Sequence, residues 1–216
     1  MLYRLMTLLL VCMLLRASNG TAAQAAMTTF ECSLGGMITI TDTVVTNGTL
    51  CQGTVTIPAT VTAIGDYAFA DASALTAVSF DDRSQLTSIG DYAFSYASDL
   101  TAITIPAGVT SIGEGAYANT SSLTAITIPA GVTSIGANTF NGASSLTGIT
   151  IPAAVTSIGD YAFNNAPSLA TVTFAAGSQL TSIGIGAFYG ATALTGITIP
   201  QESHPSGNGR SLMRPT

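Results

Sequence analysis

One pattern of apolar and polar positions repeats through most of this chain. Its clearest copy, L-T-A-I-T-I-P-A-G-V-T-S-I-G, starts at Leu100 and again, unchanged, at Leu123. Near-copies start at Leu75, Leu146, Leu169 and Leu194. Ile103 and Ile105 flank Thr104, a period-2 alternation that predicts a strand with one wet face. Pro106, Pro129 and Pro152 follow these strands and end them, because proline has no N–H for a ladder. A second short alternation, Val109-Thr110-Ser111-Ile112, predicts a second strand. The D-Y-A-F segment or a variant comes next and reads as a short helical or 3-10 turn.

The Ile-Gly pairs set the register. Gly90, Gly113, Gly136 and Gly159 are 23 residues apart, and the steps from Gly65 and to Gly184 are 25. Each long unit carries two extra residues after its strand, at Phe80 and Phe174, so the insertions belong to loops. The glycines are expected to serve a tight turn or a positive φ. A fixed period of this size predicts a solenoid whose turns bury their apolar faces on one another. Phe69, Phe94, Tyr117, Phe140, Phe163 and Phe188 recur in register and are expected to stack as an internal spine.

This register resembles the BspA-like subtype of leucine-rich repeats over about residues 50–200. The resemblance implies a mainly β solenoid of six to seven coils. That family often carries Cys after the Phe. Here Ala72, Ala97, Thr120, Ala143, Ala166 and Ala191 take the place, which leaves no thiol chemistry in the repeats. The resemblance also implies a secreted or surface-displayed binding module, adhesin- or receptor-like, for an extracellular protein or glycan.

The ends differ from the repeats. Arg4, the apolar run Leu5–Leu15 and small residues up to Ala26 read as a cleaved secretory signal at 1–26. Residues 27–53 do not follow the repeat and read as an N-terminal β cap, with the solenoid at 54–200. The polar segment 201–216 reads as a disordered or truncated tail. If so, the strand Leu194–Ile199 has a poorly covered edge, which raises self-association through the C-terminal end of the solenoid.

Charge and cysteine content narrow the partners. Only 7% of the 216 residues are charged and lysine is absent. Past residue 26 the chain keeps three arginines and eleven acids, a formal charge of −8, which disfavours nucleic acid and anionic membranes. No membrane insertion is expected after signal removal. Cys32 and Cys51 are an even pair in an exported chain and point to a disulfide, two free buried thiols being the alternative. Asn47 and Asn119 head N-x-[ST] sequons, relevant only in a glycosylating host.

Catalytic constellations are nearly missing. The single histidine, His204, lies in the tail, so neither a histidine-based triad nor a histidine-built zinc site is expected, and no cofactor is. Asp66, Asp91, Glu114 and Asp160 share one repeat position. They read as acids opening a helical turn, where capping and the dipole favour them, rather than as calcium ligands.

The hydroxyl rows are left. Thr56, Ser79, Thr104, Thr127, Thr150, Thr173 and Thr198 fall between the two core positions of the first strand and are the candidate binding row. Thr62, Thr87, Thr110, Thr133, Thr156 and Thr181 form a second row beside the second strand. Threonine also suits a wet strand face for its own sake. Two further readings are a self-associating structural surface protein and an ice-binding solenoid. Thr101 and Thr104 are three apart and do not share a strand face, which weighs against ice.

Overall fold

Each copy of the repeat closes one turn of a β-solenoid, because two short strands and one chain reversal alternate in every unit. The computed structural model describes residues 25–199. The signal segment up to residue 24, the tail and His204 lie outside the described residues.

An antiparallel unit comes first: β1 (Met27–Glu31), β2 (Met37–Thr41) and β3 (Val44–Asn47). Strands of two lines then alternate in chain order. They are β4 (Gly53–Ile57), β5 (Ala63–Ile64), β6 (Leu75–Phe80), β7 (Ser88–Ile89), β8 (Ala102–Ile103) and β9 (Ser111–Ile112). The series continues with β10 (Ala125–Ile126), β11 (Ser134–Ile135), β12 (Gly148–Ile151), β13 (Ser157–Ile158), β14 (Thr171–Phe174) and β15 (Ser182–Ile183). Even-numbered strands from β4 line one face and odd-numbered strands from β5 line another; their pairings are all parallel, and each line is divided into two sheets, between β10 and β12 and between β9 and β11. β3 pairs in parallel with β5, so the antiparallel unit continues the second line.

The third side differs from the expected helical turn: no helix occurs among the described residues. Two positions per coil adopt positive φ, which a right-handed helix forbids. The first is Tyr67 (55°), Tyr92 (53°), Gly115 (58°), Asn138 (56°), Tyr161 (55°) and Gly186 (60°). The second is Asp71, Tyr96, Asn119, Gly142, Asn165 and Gly190. Backbone N–H groups therefore alternate in direction. Tyr67, Phe69 and Asp71 donate to Asp91, Ala93 and Ser95 of the next coil at 2.9, 2.7 and 2.8 Å. Ala68, Ala70 and Ala72 donate within their own turns. All three sides of the solenoid thus carry coil-to-coil hydrogen bonds.

The glycines after isoleucine do not have positive φ. They allow close approach instead. A Cβ on Gly159 would lie 2.5 Å from Ala137 N and 2.7 Å from Gly136 C of the preceding coil.

The core is the interior of the coil. Leu75, Leu100, Leu123, Leu146 and Leu169 are fully buried. The spine stacks as expected: successive rings from Phe69 to Phe188 are 5.0–5.6 Å apart and within 9° of parallel. Tyr117 is the exception in chemistry. Its hydroxyl is buried with no hydrogen-bond partner among the described residues, and burial pushes its pKa far up. An unpartnered buried hydroxyl costs about 1–3 kcal/mol. Tyr117→Phe is therefore expected to stabilise the protein by about 1 kcal/mol, read as a higher denaturation midpoint. A lower midpoint would show that the hydroxyl has a partner.

Cys32 and Cys51 form a disulfide, with Cα atoms 5.5 Å apart and a sequence separation of 19. Closing a loop of that size restricts the unfolded chain by about 3 kcal/mol. Reduction is expected to lower stability by that order, seen as an earlier unfolding transition in dithiothreitol. An unchanged transition would mean that strand pairing alone holds this end.

Candidate functional site

The candidate residues sit on the even-numbered strand line. In each strand unit the isoleucine or valine points inward and the next residue faces water, so Thr56, Ser79, Thr104, Thr127, Thr150 and Thr173 are all exposed. Thr198 is exposed too, but the expected strand Leu194–Ile199 does not form, because no following coil among the described residues pairs with it. Register is direct: Thr56 pairs with Ser79, and Thr150 with Thr173. Beside this row runs one of smaller residues, where Thr54, Ala77, Ala102 and Ala125 align, then Gly148 and Thr171.

A shallow groove of about 650 Å³ lies on this face, with Thr127, Thr150, Thr171 and Thr173 on its lining. Its floor is Ile126, Ile128 and Ile149, and no charged residue lines it. Gly148 leaves room for it: a Cβ there would come within 2.5 Å of the Thr171 hydroxyl oxygen.

The hydroxyl rows look alike in sequence but differ in bonding. Beside the second strand, Thr87, Thr156 and Thr181 donate to the carbonyls of Thr62, Thr133 and Thr156, one coil back, at 3.0–3.2 Å. Thr101 donates to Thr76 O at 3.1 Å, and Thr147 to Thr124 O at 3.4 Å. Ser121 and Ser144 donate in the same way to Ser98 O and Ser121 O. At these positions the hydroxyl shares a carbonyl with, or sits beside, a backbone bond, and the rotamer is held, whereas the Thr110 and Thr133 hydroxyls of the second row make no such bond among the described residues. The candidate row behaves otherwise. Thr56 bonds Ser79 at 2.9 Å and Ser79 also donates to Val55 O at 3.3 Å, but the side-chain hydroxyls of Thr104, Thr127, Thr150 and Thr173 make no hydrogen bond among the described residues.

The acids do not cap their own turn. Asp66 Oδ1 accepts from the N–H of Asp91, Asp91 Oδ1 from Glu114, and Asp160 Oδ1 from Ile185, at 2.7–2.8 Å. Each carboxylate therefore ties its coil to the next. No group of three metal-ligating side chains occurs among the described residues. Glu114 is one carbon too long for this bond and accepts instead from the Tyr92 hydroxyl at 3.0 Å. Desolvation, then that hydrogen bond, holds the Tyr92 pKa above the ordinary tyrosine value. Tyr67 and Tyr92 stack outside the coil at 5.3 Å, a pair the repeat pattern did not single out.

The two sequons differ in setting. Asn47 is exposed, and its Oδ1 accepts from both the N–H and the hydroxyl of Thr49 at 3.2 and 3.3 Å. Asn119 is half-buried with φ 58°, and the following Thr120 is buried with its hydroxyl on Tyr117 O.

No helix among the described residues is long and apolar enough to cross a membrane. No curated protein matches the chain. Solved structures do. The chain is similar to a leucine rich cell surface protein from Faecalibacterium prausnitzii at 26% identity and TM-score 0.64, over 85% of this chain and 55% of that one. It shares its fold with a leucine-rich repeat protein from Eubacterium ventriosum, at 23% identity and TM-score 0.63, over 82% of this chain and 53% of that one. A leucine-rich repeat protein from Bacteroides ovatus matches at 20% identity and TM-score 0.55, over 85% of this chain and 59% of that one. The chain thus spans little more than half the length of these relatives. The sequence profile of the BspA type leucine rich repeat region matches in six copies, over residues 38–169 and 87–208. With the solenoid, the spine and the repeat register in agreement, the chain belongs to the BspA-type leucine-rich repeat family.

Proposed function

We propose that this chain is a secreted or cell-surface recognition module, and that its even-strand face takes an uncharged segment of an extracellular protein. The repeat architecture is that of a protein-binding surface module. The observation that carries the reading is the unbonded hydroxyl row of Thr127, Thr150 and Thr173 over an uncharged groove, with Thr104 continuing the row beyond it. Those hydroxyls offer donors and acceptors at strand spacing, about 4.8 Å. The signal-like N-terminus, the Cys32–Cys51 disulfide and the cell-surface description of the Faecalibacterium protein support an extracellular setting. Binding rather than catalysis is favoured because neither the rows nor the groove brings a base to a nucleophile. A glycan is the lesser reading, since no aromatic ring lines the groove for stacking.

The test is a panel of extracellular matrix proteins and neutral oligosaccharides probed with the immobilised protein. Thr150→Lys is expected to weaken any specific capture more than tenfold. Thr156→Lys, on the other strand line, is expected to leave it unchanged. Equal effects from the two would remove the even-strand face as the site.

A further inference from the structure

The six-stranded sheet has the order β1-β2-β3-β5-β7-β9, and no other strand among the described residues pairs with the outer edge of β1. Every residue of β1 is exposed. The direction of its backbone groups follows from two bonds. Asp42 N–H donates to Ala26 O at 2.7 Å, and Cys32 N–H donates to Gly36 O at 3.1 Å. Both lie on the register that pairs Met27 with Thr41 and Glu31 with Met37. Ala26, Thr28, Phe30 and Cys32 therefore direct their N–H and C=O toward β2. Those of Met27, Thr29 and Glu31 point away, to the free edge.

Proteins usually blunt such an edge with proline, lysine, a bulge or a cover. The sequence of β1, MTTFE, contains no proline or lysine, and its pairing with β2 runs without a bulge. It is also self-complementary. We propose that β1 pairs antiparallel with β1 of a second copy, about a two-fold axis through Thr29. This arrangement uses only the outward groups. Thr29 meets Thr29 of the second copy, and Met27 meets Glu31 at both ends, giving six backbone hydrogen bonds.

The side chains agree with the register. Thr28 and Phe30 share the face of the buried Ile40 and Ile38, and Phe30 is still 40% exposed. Across the axis Phe30 meets Thr28 of the other copy, which extends the core face over that ring. On the opposite face Met27 and Met37, 69% and 52% exposed, approach across the Glu31 stem of the neighbouring strand. The two Glu31 carboxylates fall at opposite ends of the ribbon. Charge opposes contact elsewhere, because most acids sit in the coils from Asp66 onward and Arg83 is the sole cation among the described residues. Added salt screens that repulsion, so the dimer is strengthened by salt rather than dissolved by it.

The experiment is sedimentation velocity of the full chain over a concentration series, with two variants. Thr29→Pro deletes an N–H that the monomer does not use, and proline is tolerated on an edge strand. It is expected to give a monomer whose thermal transition is unchanged at low concentration. Thr29→Cys puts two thiols on the axis with Cα atoms about 5.5 Å apart, within disulfide range. Mild oxidation is expected to yield a covalent dimer, several-fold more than from the exposed control Thr133→Cys. A parent chain that is monomeric at every concentration overturns the proposal. So does a Thr29→Pro dimer equal to the parent's, or Thr29→Cys cross-linking no better than the control.

Discussion

Replacing Phe94 with alanine is expected to lower the unfolding free energy by about 3–5 kcal/mol. The ring is fully buried and stacks on Phe69 at 5.0 Å and on Tyr117 at 5.4 Å. Its removal takes transfer energy away and leaves a cavity that the rigid backbone on either side cannot close. It also breaks the spine at two interfaces. In a solenoid each coil touches only its neighbours, so interface terms set how far cooperativity extends. The variant is expected to unfold with a lower midpoint and a shallower denaturant dependence, as the two halves begin to melt separately. Fluorescence and far-ultraviolet dichroism should then report different midpoints. A loss under about 1 kcal/mol with coincident transitions would show that the spine is not the main axis of coupling.

Gly159→Ala is expected to cost about 3 kcal/mol, at the upper end of what overpacking does. An added Cβ would meet Ala137 N at 2.5 Å, Gly136 C at 2.7 Å and Ala137 Cα at 2.9 Å. All three are backbone atoms, so no side chain can turn aside. The coils must separate locally, which stretches the bond from Gly159 N–H to Ile135 O, now 2.8 Å. Gly196 is the control, because a Cβ there meets nothing within 4 Å. Matched denaturation curves for the two alanine variants check the argument. Equal losses would mean that coil spacing is not the source of the cost, since removing glycine's chain entropy by itself stabilises the fold.

The period, the strand positions, the spine and the disulfide are legible in the letters. Each depends on spacing or on apolar identity, and both survive in a one-dimensional string. What is not legible depends on contacts between coils. D-Y-A-F reads as a helical start, yet Tyr67, Tyr92 and Tyr161 take positive φ because their N–H groups pair with the next coil. The acid of that motif suits a cap by its own sequence. In space the nearest unpaired donor belongs to the following coil, so Asp91 bonds Glu114 N–H. The glycines mark the corner correctly, but for close approach rather than for positive φ. The candidate row was legible only as one of several rows of threonine. Thr104 and Thr101 differ by whether a carbonyl of the previous coil lies within reach, and no pattern of residue types records that. The unmatched hydroxyl of Tyr117 is hidden for the same reason, since Tyr and Phe occupy the spine equally well by shape.

The ladders on all three sides have a genetic consequence. Thr101 to Thr124 to Thr147 repeats one backbone bond every 23 residues. Coils of equal length therefore keep one backbone register, although the carboxylate tie is missing where Glu114 or Ala137 replaces Asp. Loss or duplication of one whole unit by unequal crossing-over preserves that register. The identical copies at Leu100 and Leu123 are what a recent duplication of that kind leaves behind. Such an event changes the reach of the molecule by one strand spacing and adds or removes one threonine from the exposed row. Insertions out of phase have only the loop after the strand, where Phe80 and Phe174 already carry two extra residues. Length is then the trait that mutation can vary most freely in this lineage, while the cross-section of the coil is held constant.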